Sequence, residues 1–179
     1  MKLSDFKFSS LNDDDILDNF DCGDNEINEF LIEDSKNFQK EKITNSFLFK
    51  NATHKVVVFF SLSNDCLNDL GYENRVWNKL HRKIKLPNQK RIRQYPAVKI
   101  ARLGIDKTMQ GKGFSKQLLD FIKFWTFIEH KPACRLLILD AYNQPKQLGI
   151  YEKNDFIFLS DEDINNKQRF MYFDLMRLE

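Results

Sequence analysis

Cysteine is scarce in this chain of 179 residues: Cys22, Cys66 and Cys134 are all there are. They are scattered, odd in number and never spaced Cys-x-x-Cys. That argues against both a disulfide framework and a zinc site, and fits unlinked thiols in a reducing compartment. Histidine is as sparse, with His54, His81 and His130 far apart and no His-Glu-x-x-His pair, so no metal centre is expected. No apolar run approaches the ~18 residues that span a membrane. The N-terminus, Met1-Lys-Leu-Ser-Asp-Phe-Lys-Phe8, alternates polar and apolar residues and lacks the apolar stretch of a signal peptide. A cytoplasmic protein is the default expectation. Repeats, low-complexity tracts and clear linkers are absent. The net charge of +2 is too small to argue for nucleic acid by itself.

What is there fits one soluble domain over residues 1–179, long enough to bury a real core. Seventeen phenylalanines predict an aromatic-rich core. Leu3 to Ser9 alternates at period two and reads as an edge strand. Asp13, Asp14 and Asp15 offer N-cap acids for a short helical turn. Ile27, Phe30, Leu31, Asp34 and Phe38 lie near helical spacing, so Asn25 to Phe38 reads as an amphipathic helix capped by Asp24. Ile43 to Lys50 and Lys55 to Leu62 read as a hairpin. A helix follows from Tyr72 to Leu86, then a loop bracketed by Pro87 and Pro96. Val98 to Ile105 is a strand. Phe114, Leu118, Phe121, Trp125 and Ile128 mark a long helix. Cys134 to Leu139 is a continuous apolar run, as in a strand covered on both faces. A short helix from Pro145 to Lys153 precedes a last hairpin, Phe156 to Leu159 with Arg169 to Leu175. The order predicts an α/β or α+β single domain. Aromatics near Phe170 to Phe173 suit either a dimer contact or the core, and a monomer and a homodimer both stay open.

The most informative stretch is Ala101-Arg-Leu-Gly-Ile-Asp-Lys-Thr-Met-Gln-Gly-Lys-Gly-Phe-Ser-Lys-Gln-Leu-Leu-Asp120. It reads as strand, glycine loop, helix start. Glycines let a backbone approach an anion, and a helix start supplies unpaired N–H groups and a favourable dipole. Gln110, Gly111, Lys112, Gly113, Phe114 and Ser115 are therefore a candidate anion-binding site. The plain alternative is a glycine-rich turn with no ligand. It is not a Walker loop, since Gly-x4-Gly-Lys-Ser/Thr is absent. Nor is it a dinucleotide fingerprint, since Gly-x-Gly-x-x-Gly fails at Lys116.

Gln110-Gly-Lys-Gly-Phe-Ser115 resembles the Gln/Arg-x-x-Gly-x-Gly/Ala loop of the GNAT N-acetyltransferases, matching at its first and fourth positions. Ser115 stands where Gly or Ala is usual. A second match, Ile150-Tyr-Glu-Lys-Asn-Asp-Phe156, resembles the family's Phe-Tyr-Glu-Lys-x-Gly-Phe pattern. Asp155 replaces the glycine, and Asp is one of few other residues that visits the left-handed region. Asp21-Cys-Gly-Asp-Asn-Glu-Ile-Asn-Glu-Phe-Leu31 and Arg102-Leu-Gly-Ile-Asp106 look like a narrower bacterial subgroup that includes toxins acetylating aminoacyl-tRNA. There the usual sequence is Arg-Leu-Ala-Val-Asp.

The resemblance implies a mixed, mostly antiparallel sheet with flanking helices and a splayed parallel strand pair, here about 98–105 and 134–140. It implies acetyl-CoA as co-substrate, with the backbone of Leu103, Gly104 and Ile105 facing the pantetheine and the acetyl carbonyl. An N–H near Leu103 or Ile105 would serve the developing oxyanion. Asn143 is either a pantetheine ligand or a turn former ahead of Pro145. Tyr151 is the candidate general acid for the departing thiolate, against the alternative of an aromatic packing residue. A phenol near ~10 and a thiol near ~8.5 make that transfer uphill by roughly 2 kcal/mol.

No general base stands out, although Glu33, Asp34 and other acids are available. An α-amine near ~8 is partly neutral at pH 7, whereas a lysine amine near ~10.4 costs roughly 4–5 kcal/mol to deprotonate. The acceptor class leans toward peptide N-termini, aminoacyl groups or small amines, and its identity stays open. Arg75, Lys79, Arg82, Lys83, Lys85, Lys90, Arg91 and Arg93 form a basic segment over 75–93 with no acid among them. It suits tRNA or another polyanion, the 3′-phosphate of CoA, or a solvated face balancing acids elsewhere. Three readings follow: an N-acetyltransferase, a tRNA-directed toxin held by a small antitoxin, and a non-catalytic acetyl-CoA-binding module.

Overall fold

A computed structural model describes residues 1–85, 92–129 and 132–179. The strands are β1 (Lys7–Ser10), β2 (Asn45–Lys50), β3 (Val56–Asn68), β4 (Gln94–Ile105), β5 (Leu136–Tyr142), β6 (Ile157–Phe158) and β7 (Gln168–Asp174). The helices are α1 (Asn25–Glu29), α2 (Ser35–Lys40), α3 (Asn74–Ile84), α4 (Phe114–Glu129) and α5 (Pro145–Glu152). The strand order is β1-β2-β3-β4-β5-β7-β6. The sheet is mixed and mostly antiparallel, with β4 and β5 parallel over Ala97–Lys99 against Leu136–Ile138. The chain divides into two compact units, Met1–Ser63 with Ile100–Phe121, and Asn64–Lys99 with Ile122–Glu179.

The first unit has the expected aromatic interior. Phe8 on β1 meets Phe47, Phe49, Phe60 and Phe121 at ring-centre distances of 4.8–6.4 Å. A second cluster buries Leu17, Phe20, Phe30, Leu31, Leu48 and Phe59. Asp24 caps α1 as expected, its carboxylate accepting from the Ile27 N–H. Residues 30–34 widen into a π-turn before α2, where the buried Ser35 hydroxyl donates to the Leu31 carbonyl at 2.6 Å. The predicted helical turn at Asp13 to Asp15 is instead a plain turn. Asp15 accepts from the Asn12 N–H, which leaves no helix to cap. The first strand starts only at Lys7, because Leu3–Asp5 forms a 3₁₀ turn with Leu3 buried.

In the second unit Val76, Trp77, Leu80 and Ile84 of α3 pack on Leu136, Ile138 and Tyr172. Pro96, expected in a loop, lies near the start of β4. A strand's opening residues tolerate a missing N–H, and the Pro96 carbonyl still accepts from Arg135 at 2.9 Å. Of the stretch Phe170 to Phe173, Met171, Tyr172 and Phe173 are buried in the core, and Phe170 is half-buried against it. Leu86 to Arg91, which include the predicted Pro87 boundary and the cations Lys90 and Arg91, lie outside the described residues, as does His130.

Candidate active site

The glycine loop belongs to the first unit. β4 ends at Ile105, and Asp106 then caps a 3₁₀ turn over Lys107–Met109. Asp106 is almost fully buried. Its carboxylate accepts from the Thr108 N–H (3.0 Å) and hydroxyl (2.6 Å), and pairs with Lys55 at 2.9 Å. Burial alone would raise this carboxyl. The hydrogen bonds outweigh it and hold the group below the usual carboxylate range. Asp readily bonds the backbone two residues on in this way, so an Asx turn at the end of β4 is legible from Asp106 itself.

Gln110 does not reach outward. Its Nε2 donates to the carbonyls of Cys22 (2.7 Å) and Ile105 (2.9 Å), tying the loop to the segment before α1. Asp21 strengthens that seam by accepting from Lys107 at 2.7 Å, and its pKa falls to about 2, with the Lys107 hydrogen bond the largest cause. Gly111 and Gly113 have φ of 74° and 79°, which L side chains rarely adopt. A Cβ at either would meet nothing within 4 Å, so the space over the loop is open. Lys112 is exposed and donates to the Thr108 carbonyl at 2.6 Å. α4 begins at Phe114, which is buried against Phe6, and its first turn carries no acid to compete with an anion. Open backbone, positive φ and an unopposed helix start fit a pyrophosphate.

Packing requires glycine at position 104. A Cβ there would lie 2.7 Å from the Phe59 ring and 3.0 Å from that of Phe20, both buried. Packing thus explains the departure from Ala in Arg102-Leu-Gly-Ile-Asp106. Leu103 is half-buried and Ile105 buried.

Tyr151 belongs to the second unit, on α5. Pro145 opens this helix at its first position, as its fixed φ allows. The helix closes through two backbone bonds, Phe156 N–H to the Tyr151 carbonyl (3.1 Å) and Asp155 N–H to that of Glu152 (3.0 Å). Asp155 takes the left-handed conformation, φ 64°, as its residue type foretold. This is a Schellman ending, whose usual apolar contact is here the edge-to-face pair of Tyr151 and Phe156. Burial pushes the Tyr151 phenol up to about 12. Asn143 sits between β5 and α5 and donates both amide hydrogens, to Ile164 (2.8 Å) and Asn166 (2.9 Å).

A cavity of about 650 Å³ in the same unit is lined by Tyr72, Asp140, Leu159, Glu162, Asp163 and Phe170, among others. Two of its carboxylates are met within the protein: Asp140 by Lys99 at 2.6 Å, and Asp163 by Arg169 at 2.6 Å and the Phe170 N–H. Arg75, Lys79, Arg82 and Lys83 on α3, and Lys85 just past its end, are exposed. Partial burial, then Lys79 and Arg177, hold Lys83 below the usual lysine range. Among the described residues, no group of His, Cys, Asp and Glu could hold a metal ion, and no helix is long and apolar enough to cross a membrane.

No family model matches the sequence, and no curated protein matches it. Solved structures do match in fold. AtaT complexed with acetyl-methionyl-tRNAfMet is 22% identical with a TM-score of 0.73, covering 97% of each chain. The chain has the GNAT fold. A Tyr-to-Phe mutant of the AtaT toxin, bound to the C-terminus of the antitoxin AtaR and acetyl-CoA, is 20% identical with a TM-score of 0.70, covering 98% of this chain and 96% of that one. A Tyr-to-Phe mutant of KacT is 20% identical with a TM-score of 0.71, covering 98% and 99%. In the GNAT fold of this chain the parallel pair is β4 and β5, the glycine loop follows β4, and Tyr151 lies on the helix after β5.

Proposed function

We propose that this chain is a cytoplasmic, acetyl-CoA-dependent N-acetyltransferase, a single domain over residues 1–179, whose acceptor is the amino group of an aminoacyl-tRNA. One observation carries the reading: the fold matches AtaT complexed with acetyl-methionyl-tRNAfMet along 97% of both chains. The open glycine loop at the start of α4 and the tyrosine on α5 support it.

Acetyl-CoA supplies an acyl thioester. The backbone N–H groups from Gly111 to Ser115 bind the pyrophosphate, with Lys112 adding charge and Gln110 bracing the loop. The backbone of Leu103, Gly104 and Ile105 lines the pantetheine and the acetyl carbonyl, and Asn143 accepts an amide N–H through its side-chain oxygen. Tyr151 holds a proton at Oη for the departing thiolate. With the phenol at about 12, transfer to a thiolate of unperturbed pKa ~8.5 is uphill by about 5 kcal/mol. The dry surroundings that raise the phenol raise a thiol beside it as well, which returns part of that cost. The α-amine of an aminoacyl group is partly neutral at pH 7 and needs no strong base.

The exposed cations of α3 meet the tRNA backbone. AtaT bound to the AtaR C-terminus supports a small antitoxin as the regulatory partner. The deciding experiment offers labelled acetyl-CoA with charged tRNA, peptides and polyamines in parallel. Label on charged tRNA is expected. Label on peptides or polyamines alone leaves the acetyltransferase and removes the tRNA acceptor. Binding of acetyl-CoA with no transfer to any of them selects the non-catalytic module.

A further inference from the structure

The acid role of Tyr151 depends on where its ring is held, and a buried cation lies one ring away. Lys123, on α4, is 3% exposed. Its Nζ lies 4.7 Å from the centre of the Phe173 ring and 5.8 Å from that of Phe156. Phe156 in turn meets Tyr151 edge-on at 5.9 Å, with ring planes at 72°. Phe156 and Phe173 touch each other at 5.8 Å. All four residues belong to the second unit.

We propose that Lys123 is a positioning residue for Tyr151, acting through Phe156. The inference rests on the acid role of Tyr151 proposed above. An ammonium removed from water is attracted to the negative faces of aromatic rings, most strongly where it is desolvated. Two phenylalanine faces turned to one Nζ are thereby fixed in orientation. The Phe156 ring, so fixed, presents a constant side to Tyr151, while the backbone bond from Phe156 to the Tyr151 carbonyl holds the helix end. An apolar side chain of similar length fills the space but attracts no ring face. Phe156 is then free to turn, and Tyr151 with it. Lys123 touches no reacting atom in this scheme.

The test compares Lys123→Met, Lys123→Arg, Tyr151→Phe and the double variant Lys123→Met/Tyr151→Phe, with methionyl-tRNA as acceptor probe. Lys123→Met should lower kcat by about tenfold to a hundredfold, the scale of a small misplacement of a reacting group, with little change in KM for acetyl-CoA. Lys123→Arg should restore most of it. The double variant should turn over no more slowly than Tyr151→Phe alone, because residues acting through one group are not additive. A second reading needs no acceptor: the ring-carbon NMR signal of Tyr151, assigned by its loss in Tyr151→Phe, should shift or broaden in Lys123→Met and return in Lys123→Arg. An unmoved Tyr151 signal, or a double variant slower by the full product of the single losses, overturns the proposal. Unchanged turnover in Tyr151→Phe overturns the acid role instead, and the NMR comparison then still decides whether Lys123 sets the ring.

Discussion

Phe156 is bound to Tyr151 twice, by a backbone hydrogen bond of 3.1 Å and by an edge-to-face ring contact of 5.9 Å. The helix ending and the placement of the proposed acid are therefore one structure. Asp155 makes the ending possible by taking φ 64°, and Arg177 donates to its carbonyl at 3.2 Å. Asp155→Gly should leave stability nearly unchanged, because glycine removes the left-handed cost while only an exposed ion pair is lost. Asp155→Val should destabilise by about 1–2 kcal/mol in denaturant unfolding, since a β-branched residue resists that conformation.

Tyr151→Phe should cut turnover by about 10²–10⁴-fold, the usual range for general acid–base catalysis, with acetyl-CoA affinity by calorimetry nearly intact. The phenol at about 12 stays protonated well above neutral pH. The parent rate should therefore rise as the acceptor amine deprotonates, then hold flat to about pH 10 instead of falling in a bell. A descending limb centred near pH 9 would reassign the acid.

Gly104→Ala should destabilise by about 1–3 kcal/mol, because the added methyl meets two buried rings with nowhere to move. Gly111→Ala meets no steric obstacle and carries only the left-handed cost of about 1–2 kcal/mol. Its larger effect should be weaker acetyl-CoA binding, as the loop relaxes away from positive φ. Thermal melts with and without acetyl-CoA separate the two.

Asp21 has its pKa lowered from 3.8 to about 2 in the folded chain. A depressed carboxyl contributes stability above its unfolded pKa and loses it as pH falls through the folded value. The stability advantage of the parent over Asp21→Asn should thus be full at pH 5 and shrink between 3.8 and about 2. Acid-denaturation curves of both proteins check this. A gap that persists unchanged at pH 2 would show that the Lys107 bond is not its source.

Reversing Lys79, Arg82 and Lys83 to Glu should abolish acetylation of charged tRNA while a small amine is still acetylated. The parent reaction on tRNA should weaken steeply with salt, as phosphate contacts require. Equal loss on both acceptors would place these cations at the co-substrate instead.

Much of the fold was legible because its causes are local. Helical spacing from Phe114 to Ile128, the apolar run ending at Leu139 and Pro145 at a helix start each act within a few residues. The left-handed Asp155 was readable for the same reason. Pro96 misled because a strand start tolerates proline as well as a loop does. Asp13 to Asp15 misled because acids that cap a helix also close turns.

Gln110 marks the limit most clearly. Its place in the pattern was visible, yet its work is to hold a carbonyl 88 residues away, at Cys22. By itself the sequence determined the order of elements and a glycine loop at a helix start, since positive φ and hydrophobic period are properties of short segments. Only the tertiary structure decided why residue 104 must lack a side chain, that Tyr151 becomes a weaker acid, and that Lys123 faces two rings. Those depend on burial and on atoms brought from distant parts of the chain, and no local pattern encodes either.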